Sequence, residues 1–238
     1  MVGISEEMAA ALSRERPALT HASTAGRVTD ILRTHIAQGL FPPGTRLSEE
    51  AIGRALGVSR NTLREAFALL NHERLAVHHM NRGVFVPTLT PGDVSDIYTL
   101  RRLVEGGAAR LAGAAAPTAR QAVCDAVDSA EAYAAAGQWL DVRTEDLRFH
   151  QAIAGLAGSS RVDELMRRAL AELRLIFHAM QSPEQFHRPY LERNRSIAES
   201  IMRGDGVTAE RDLLRYLADA EAQILAAYNA PALALSGQ

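Results

Sequence analysis

The sequence predicts a mainly α-helical protein in two parts: an N-terminal winged helix-turn-helix with a small β-hairpin wing, and a C-terminal all-α bundle of six helices. Three patterns lead to this fold class. Two short helices joined by a glycine turn are indicated at residues 44–65. A hairpin signal follows at Asn81-Arg82-Gly83. Beyond residue 92, apolar side chains recur at helical spacing to about residue 228.

The composition is typical of a helical protein without a membrane span. Of the 238 residues, 47% are hydrophobic but only 5% are aromatic, so the predicted core consists mainly of Ala, Leu, Ile and Val. No stretch approaches the roughly 18 to 20 apolar residues that a membrane helix needs. Cys124 is the single cysteine, which excludes an internal disulfide and suits a reducing compartment. We therefore expect a cytoplasmic protein.

Charge is distributed unevenly along the chain. All 26 basic residues are arginines, and the formal net charge is −2. Residues 27–86 carry eight Arg against five acidic side chains, whereas residues 91–238 carry sixteen Arg against twenty. The first segment can therefore face phosphates, while the second repels them. Arginine also forms bidentate hydrogen bonds with guanine edges and phosphates.

Residues 44–65 carry the signals of a helix-turn-helix. Ser48 can cap a first helix, Gly57 permits a sharp turn, and Ser59 can cap a second helix. The solvent side of this second helix carries Arg60, Asn61 and Arg64. A capped basic helix entered through a glycine turn is typical of a protein that reads the major groove of DNA.

The same patterns divide the chain into five segments. We expect a flexible N-terminal extension over residues 1–21, a winged helix-turn-helix domain over 22–88, a linker over 89–92, a helical domain over 93–229 and a flexible tail over 230–238. The first domain should open with a helix over 24–38. The helices predicted for the second domain are 93–115, 117–136, 138–155, 161–180, 184–203 and 208–228.

Together these motifs resemble the GntR family of bacterial transcription regulators, in the fatty-acid-regulator-type branch with an all-helical FCD ligand domain. In the first half the matching motifs are Ile36-Ala37-Gln38-Gly39, Pro43-Gly44-Thr45-Arg46-Leu47-Ser48-Glu49, Leu56-Gly57-Val58-Ser59-Arg60, Leu63-Arg64-Glu65-Ala66 and Asn81-Arg82-Gly83. In the second half they are Leu100-Arg101-Arg102 with Glu105, Asp146-Leu147-Arg148-Phe149-His150, and Gly204-Asp205. The chain departs from the pattern at Asn61-Thr62, where Thr-Pro is usual, at Ala51, where many relatives carry a phosphate-binding Arg, and at Arg74, where Gly is usual.

The resemblance and the helix geometry select a set of DNA-binding residues. Arg60 and Arg64 lie one turn apart, and the resemblance implies that they and Asn61 reach base edges or nearby phosphates. Arg82 and Gly83 form the expected wing tip at the minor groove. For a single arginine the alternative is a solvated surface charge, but the spacing of the set favours DNA. The predicted DNA-binding residues are Arg46, Ser59, Arg60, Asn61, Thr62, Arg64, Arg82 and Gly83.

Two pairs of residues at i, i+4 spacing predict a ligand site in the second domain. Arg101 and Glu105 share a helix face, and the resemblance implies that this Arg lies at the wall of the ligand cavity and holds a carboxylate. Asp146 and His150 are spaced in the same way. The alternatives are a surface ion pair for the first pair and a satisfied core network for the second. With the positions that the resemblance adds, the predicted effector-binding residues are Arg101, Glu105, Asp146, His150, Asn194 and Tyr216.

A divalent metal is the competing interpretation for Asp146 and His150. The resemblance implies that metal-binding relatives add two histidines, whereas the matching positions here are Asn194 and Tyr216. A neutral amide and a phenol are weak ligands, so we expect that no cofactor is required. A degenerate site of Asp146, His150 and Asn194 stays open as the alternative. His178 or His187 could substitute only if the fold brings them inward.

The sequence as a whole indicates a ligand-responsive transcription regulator, expected to be a repressor. It would act as a homodimer on a palindromic double-stranded DNA operator, with a small organic acid as effector. Effector binding would act through the segment Pro87–Pro91. No nucleophile–base pair, phosphate-binding loop or complete metal tetrad indicates an enzyme. The alternatives are an enzyme that uses the winged helix for docking and a DNA-binding adaptor without a small ligand.

Overall fold

The computed structural model describes residues 5–14, 24–177 and 182–229. In this part of the chain there are ten α-helices and one three-stranded antiparallel sheet. The helices are α1 (Glu6–Arg14), α2 (Thr24–Gln38), α3 (Glu49–Leu56), α4 (Arg60–His72), α5 (Pro91–Arg110), α6 (Pro117–Ala135), α7 (Trp139–Gly155), α8 (Ser160–Phe177), α9 (Pro183–Met202) and α10 (Gly206–Asn229). The strands are β1 (Arg46–Leu47), β2 (Val77–His79) and β3 (Gly83–Phe85).

The chain forms two compact units. The N-terminal unit is Met1–Leu89 with Ala171–Ala179, and the C-terminal unit is Thr90–Leu170 with Met180–Gln238. The sequence predicted one uninterrupted second domain, whereas the last two turns of α8 belong to the N-terminal unit, and Leu175 lies in its core. The predicted tail, residues 230–238, lies outside the described residues.

The predicted linker 89–92 is mostly the beginning of α5. Thr90 caps this helix, since its side chain accepts a hydrogen bond from the backbone amide of Asp93 at 3.2 Å, and Pro91 is the first helical residue. The Asp93 carboxylate in return accepts from the Thr90 amide at 2.7 Å, which completes a capping box. Threonine before proline, with an acid three residues later, is the sequence signal for this start.

The helix-turn-helix of the N-terminal unit forms as the sequence predicted. Ser48 caps α3 by accepting from the amide of Ala51 at 3.3 Å, and Ser59 caps α4 by accepting from the amide of Thr62 at 3.1 Å. Gly57 ends α3 with φ +68°, a left-handed conformation that favours glycine. The apolar sides of α2, α3 and α4 meet in one core, which includes Val28, Leu32, Ile36, Ile52, Leu56, Leu63, Phe67 and Leu70.

The predicted flexible extension contains a helix. In α1, Leu12 is fully buried in the core of the N-terminal unit, with Met8 and Ala9 packed beside it. Because an isolated helix of this length is marginal in water, tertiary packing rather than local propensity stabilises α1. The expectation of a flexible segment was wrong for residues 6–14, and residues 1–4 and 15–23 lie outside the described residues.

The wing is a hairpin with an added strand. β2 pairs with β3 through the register Val77↔Phe85 and His79↔Gly83, as the extended runs in the sequence indicated. β1 pairs with the other edge of β3, where Arg46 lies opposite Phe85, and the order is β1-β3-β2. The sequence did not predict β1, because two residues are too short for a periodic signal.

The six helices of the C-terminal unit begin and end close to their predicted bounds, except that α5 stops at Arg110 instead of residue 115. α5 and α10 run antiparallel, as Gly106 faces Leu214 while Arg102 forms an ion pair with Glu221. No helix in the described ranges combines the length and the apolar character needed to cross a bilayer.

The segment Gly204-Asp205-Gly206 joins α9 to α10. Gly204 has φ +74°, and the Asp205 carboxylate accepts from the amide of Thr208 at 3.1 Å, capping α10. A Cβ atom on Gly206 would lie 2.3 Å from the carbonyl oxygen of Arg110. Glycine at 206 therefore allows the start of α10 to approach the end of α5.

Candidate functional sites

The predicted DNA-binding residues of α4 lie at its exposed N-terminal end. Arg60, Asn61 and Arg64 are exposed, and within the described residues neither arginine forms an ion pair. Asn61 donates a long hydrogen bond of 3.4 Å to Glu65. The hydroxyl oxygens of Ser59 and Thr62 lie 2.8 Å apart, so one donates to the other while the second proton stays available.

Arg46, Arg82 and Gly83 meet at the wing. Gly83 has φ +101°, and a Cβ there would lie 3.4 Å from Nε of Arg46. Arg82 is exposed, and its guanidinium lies 5.8 Å from the centre of the Phe85 ring. Glycine at 83 thus suits both the left-handed backbone conformation and the nearby Arg46 side chain.

A cleft of about 260 Å³ separates α4 from the sheet. Arg64 lines it from α4 and His78 from β2. The sequence indicated a strand residue without a ligand role at His78, and strand alternation from the half-buried Val77 predicts that its side chain is exposed. The other lining residues are Glu49, Phe67, Ala68, Asn71 and Val84. His78 therefore lines the same cleft as Arg64.

The predicted effector-binding residues form a buried hydrogen-bond network in the C-terminal unit. They come from four helices, and none is more than 5% exposed: Arg101, Glu105, Asp146, His150, Asn194 and Tyr216. Arg101 Nε donates to Glu105 Oε1 at 2.7 Å, and Glu105 Oε2 lies 2.6 Å from His150 Nδ1. The fold thus converts two local pairs into one cluster, which we call the buried polar network.

The second half of the buried polar network centres on Asp146. Its Oδ1 accepts hydrogen bonds from Tyr216 and from Asn194 Nδ2, each at 3.0 Å. His150 Nε2 lies 3.3 Å from the same Tyr216 hydroxyl. Because the single phenol proton goes to Asp146, the contact with His150 is a hydrogen bond only if Nε2 is the donor.

Burial and pairing oppose each other in setting the pKa values of these groups. Burial alone would raise the pKa of Glu105, but Arg101 and His150 lower it below its usual value. Burial alone would also raise the pKa of Asp146, but His150, His187 and the Asn194 amide lower it below its usual value. Burial raises the pKa of Tyr216 well above 10, so the phenol keeps its proton. The two carboxylates are therefore ionised and act as acceptors.

Three further side chains surround the buried polar network. The Arg101 guanidinium stacks on the Tyr98 ring at 4.8 Å, and the Tyr190 ring lies 4.7 Å from that of Tyr216. His187 is buried with Nδ1 at 3.6 Å from Asp146 Oδ2, so the fold does bring this histidine inward. Tyr98 precedes Arg101 by three residues, a spacing from which the contact could have been predicted. His178 lies outside the described residues.

Two of the possible metal ligands among these residues are engaged with each other. Asp146 Oδ1 is occupied by two hydrogen-bond donors, and Asn194 presents its amide nitrogen to that carboxylate. Tyr216 stays neutral. Among the described residues, no group of three or more His, Cys, Asp or Glu side chains is placed to hold one ion. In the predicted alternative site of Asp146, His150 and Asn194, the Asp146 carboxylate and the Asn194 amide are thus hydrogen-bonded to each other.

Comparison with known proteins assigns both halves of the chain. Residues 24–86 match the family of bacterial regulatory proteins named gntR, and residues 96–219 match the FCD domain. The chain belongs to the GntR family. A transcriptional regulator encoded in the TAR-I ttuE-ttuC′ intergenic region of Agrobacterium vitis is 35% identical over 142 residues, spanning 57% of this chain and 83% of that protein. This GntR chain is thus a transcription regulator and not an enzyme.

Longer matches and solved structures agree with this assignment. A probable D-xylose utilization operon transcriptional repressor of Paenarthrobacter nicotinovorans is 26% identical over 200 residues, covering 84% of this chain and 88% of that one. The crystal structure of a GntR protein from Rhodococcus sp. RHA1 is 45% identical, covers 87% of this chain and all of that chain, and has a TM-score of 0.80. The predicted fold class is therefore confirmed.

Proposed function

We propose that this GntR regulator is a repressor that binds a palindromic operator as a homodimer in the cytoplasm and responds to a small organic acid. The observation that carries the DNA-binding part is the exposed end of α4, where Arg60 and Arg64 lack an ion pair within the described residues. Repression is supported by the relatives that are named repressors, including the gluconate operon repressor of Bacillus subtilis, which is 39% identical over 87 residues.

The DNA contacts follow from the placement of the two elements. Arg60, Asn61 and Arg64 would enter the major groove, while Ser59 and Thr62 would donate to phosphates at the helix N-terminus. Arg46 and the wing tip at Arg82 and Gly83 would contact the backbone and the minor groove. A homodimer would place two such helices on the half-sites of a short palindrome.

The buried polar network is the proposed effector site. Arg101 would hold the carboxylate of the effector, and Asp146, His150, Asn194 and Tyr216 would line the same site. Glu105 would act differently from the sequence-based prediction: both of its oxygens already contact Arg101 and His150, so it would orient these two residues instead of touching the ligand. No metal would be required.

For the effector to act as a signal, it must bind the DNA-competent and the released arrangements unequally. The test is a DNase footprint and a fluorescence-anisotropy titration with the promoter region of the chain's own gene. A two-fold symmetric footprint and weaker binding in the presence of an organic acid are expected. An acid that binds tightly yet leaves operator affinity unaltered would count against the proposal.

Elemental analysis tests the metal question separately. Protein that is purified without chelators and then dialysed should contain far less than one equivalent of zinc, nickel or manganese. Stoichiometric metal would instead support the degenerate site at Asp146 and His150, which would have to rearrange because Asp146 Oδ1 is occupied by donors.

A further inference from the structure

We infer that one strand of the DNA backbone crosses the cleft between α4 and the sheet, and that His78 donates a hydrogen bond to a phosphate of that strand. The inference rests on the proposed function, in which α4 enters the major groove and the wing tip enters the minor groove. It adds His78 to the DNA interface. The cleft has a volume of about 260 Å³ and lies between these two elements.

The geometry of the duplex determines what lies over the cleft. In B-DNA a single sugar-phosphate strand separates a major groove from the adjoining minor groove. A protein that places α4 in one groove and the wing tip in the next therefore has this strand between the two elements. Phosphates recur about every 3.4 Å of helix axis along one strand. A strand that crosses the cleft thus brings phosphates to the residues that line it.

The α4 side of the cleft continues the face that carries the predicted DNA-binding residues. Arg64, Ala68 and Asn71 line the cleft and are exposed. Their spacing of four and then three residues places them on one side of the helix. Arg60 lies one turn before Arg64 on the same side. The same face of α4 therefore reaches from the groove-reading end into the cleft.

The sheet side of the cleft carries His78. This residue lies opposite Val84 in the register, and both line the cleft. Side chains alternate along a strand, so the neighbouring His79 points to the other side of the sheet. The His79 ring lies there at 5.3 Å from the centre of the Phe85 ring. Of these two exposed histidines, it is His78 that faces the cleft.

The polar groups in the cleft suit a phosphate. Within the described residues, the side chains of His78 and Asn71 have no hydrogen-bond partner and Arg64 forms no ion pair. Phosphate oxygens accept hydrogen bonds, and an imidazole N–H, a side-chain amide and a guanidinium all donate them. Glu49 also lines the cleft, and its carboxylate repels a phosphate. The phosphate is therefore held from the α4 and His78 sides against this repulsion.

Substitution of His78 in the full chain tests the inference. Fluorescence anisotropy would compare the footprinted operator duplex with a scrambled duplex of equal length. His78→Ala should weaken binding to both duplexes by about three- to tenfold and leave the ratio of the two affinities unchanged, because phosphate contacts carry no sequence information. His79→Ala is the matched control and should change either affinity by less than about twofold. Thermal denaturation confirms that both variants fold.

His78→Arg keeps the inference testable if His78→Ala disturbs the wing. A guanidinium at this position should tighten binding to both duplexes. The slope of log affinity against log salt concentration should steepen by about 0.9, the value for one neutralised phosphate. His79→Arg adds the same charge on the other side of the sheet and should steepen the slope by less than about half as much. Glu49→Gln should tighten binding to both duplexes by about twofold, because it removes the repulsion.

A methylphosphonate scan of the operator locates the contact. Each duplex of the scan carries one neutral methylphosphonate in place of a phosphate. At one position in the strand between the two grooves, this replacement should weaken binding of the wild type by about threefold or more. The same replacement should weaken binding of His78→Ala by less than about twofold, because the two changes remove one interaction.

The outcomes separate this inference from the proposed function. If His78→Ala binds both duplexes like the wild type, or if His78→Arg leaves the salt slope unaltered, the inference is overturned while DNA binding by α4 survives. A loss confined to the operator also overturns it, because His78 would then read a base. If the folded wild-type chain binds neither duplex at low salt, the inference and the proposed function both fail.

Discussion

Arginine is used in opposite ways in the two units. In the N-terminal unit Arg60 and Arg64 are exposed, and neither forms an ion pair within the described residues. In the C-terminal unit Arg101 is 1% exposed and is hydrogen-bonded to Glu105. An exposed cation can exchange partners at little cost in free energy, which suits reversible binding to a long polyanion. A buried cation must be paired at all times, which suits one small ligand and a rigid site.

The largest expected effect comes from breaking the buried pair. Glu105→Ala removes the acceptor of both Arg101 and His150, and we expect the free energy of unfolding of the C-terminal unit to fall by about 3–5 kcal/mol. Urea denaturation followed by circular dichroism measures this.

The control is an exposed pair of the same type, that of Glu184 with Arg188, whose side chains are 45% and 64% exposed. Glu184→Ala should change the stability by less than about 1 kcal/mol, because surface ion pairs contribute little. Equal losses in the two variants would remove the proposed distinction between buried and exposed charges.

The next effect concerns DNA and leaves stability unchanged. Arg60→Ala and Arg64→Ala should each weaken specific operator binding by about 1–3 kcal/mol. Fluorescence anisotropy at fixed salt measures the affinity, and thermal denaturation confirms that folding is unaltered. Arg188→Ala removes the same charge from the C-terminal unit and should bind the operator like the wild type. Undiminished binding by both α4 variants would reject their assignment.

Lowering the pH should destabilise the buried polar network before it affects the exposed residues of α4. Burial lowers the pKa of His187 below its usual 6.5, against the attraction of Asp146, with Arg143 and His150 also nearby. The unfolded chain therefore binds a proton that the folded chain refuses, and stability falls as pH drops below 6.5. His187→Gln should flatten this part of a profile of melting temperature against pH.

The carboxylates of Glu105 and Asp146 affect the stability at lower pH values. Because the pKa values of Glu105 and Asp146 are lowered, their contribution is complete above pH 4.5 and is lost as pH falls through the folded-state values. A profile that is flat from pH 7.5 to 5 in the wild type would contradict the burial of a neutral His187.

The smallest expected effect is on stability, and it distinguishes the backbone strain at Arg74 from the contribution of its charge. Arg74 has φ +58°, a left-handed conformation that is costly for a residue with a side chain, and its ion pair with Glu172 spans 3.6 Å with Arg74 70% exposed. Arg74→Gly should therefore stabilise the N-terminal unit by up to about 1 kcal/mol. Asn81 has φ +61°, but asparagine tolerates this conformation, so Asn81→Gly is the matched control and should have little effect.

Local signals in the sequence predicted most of the fold and several of the contacts inside the buried polar network. Ser48, Gly57 and Ser59 mark the helix-turn-helix because caps and turns depend on neighbouring residues alone. The spacing of Arg101 and Glu105 likewise predicts their pairing.

Features that depend on distant packing could not be predicted in the same way. α1 exists because Leu12 finds a core, and β1 exists because β3 has a free edge. The approach of His187 to Asp146 joins two helices whose crossing the sequence does not encode locally. The end of α8 was assigned to the wrong unit for the same reason.

Gly206 determines how closely the start of α10 can approach the end of α5. The helix that carries Arg101 and the helix that carries Tyr216 touch where the hydrogen of Gly206 meets the backbone of Arg110. A methyl group on residue 206 would lie 2.3 Å from the carbonyl oxygen of Arg110, so the backbones of the two helices would have to move apart. Gly206→Ala is therefore expected to change the spacing of α5 and α10, the helices that carry Arg101 and Tyr216.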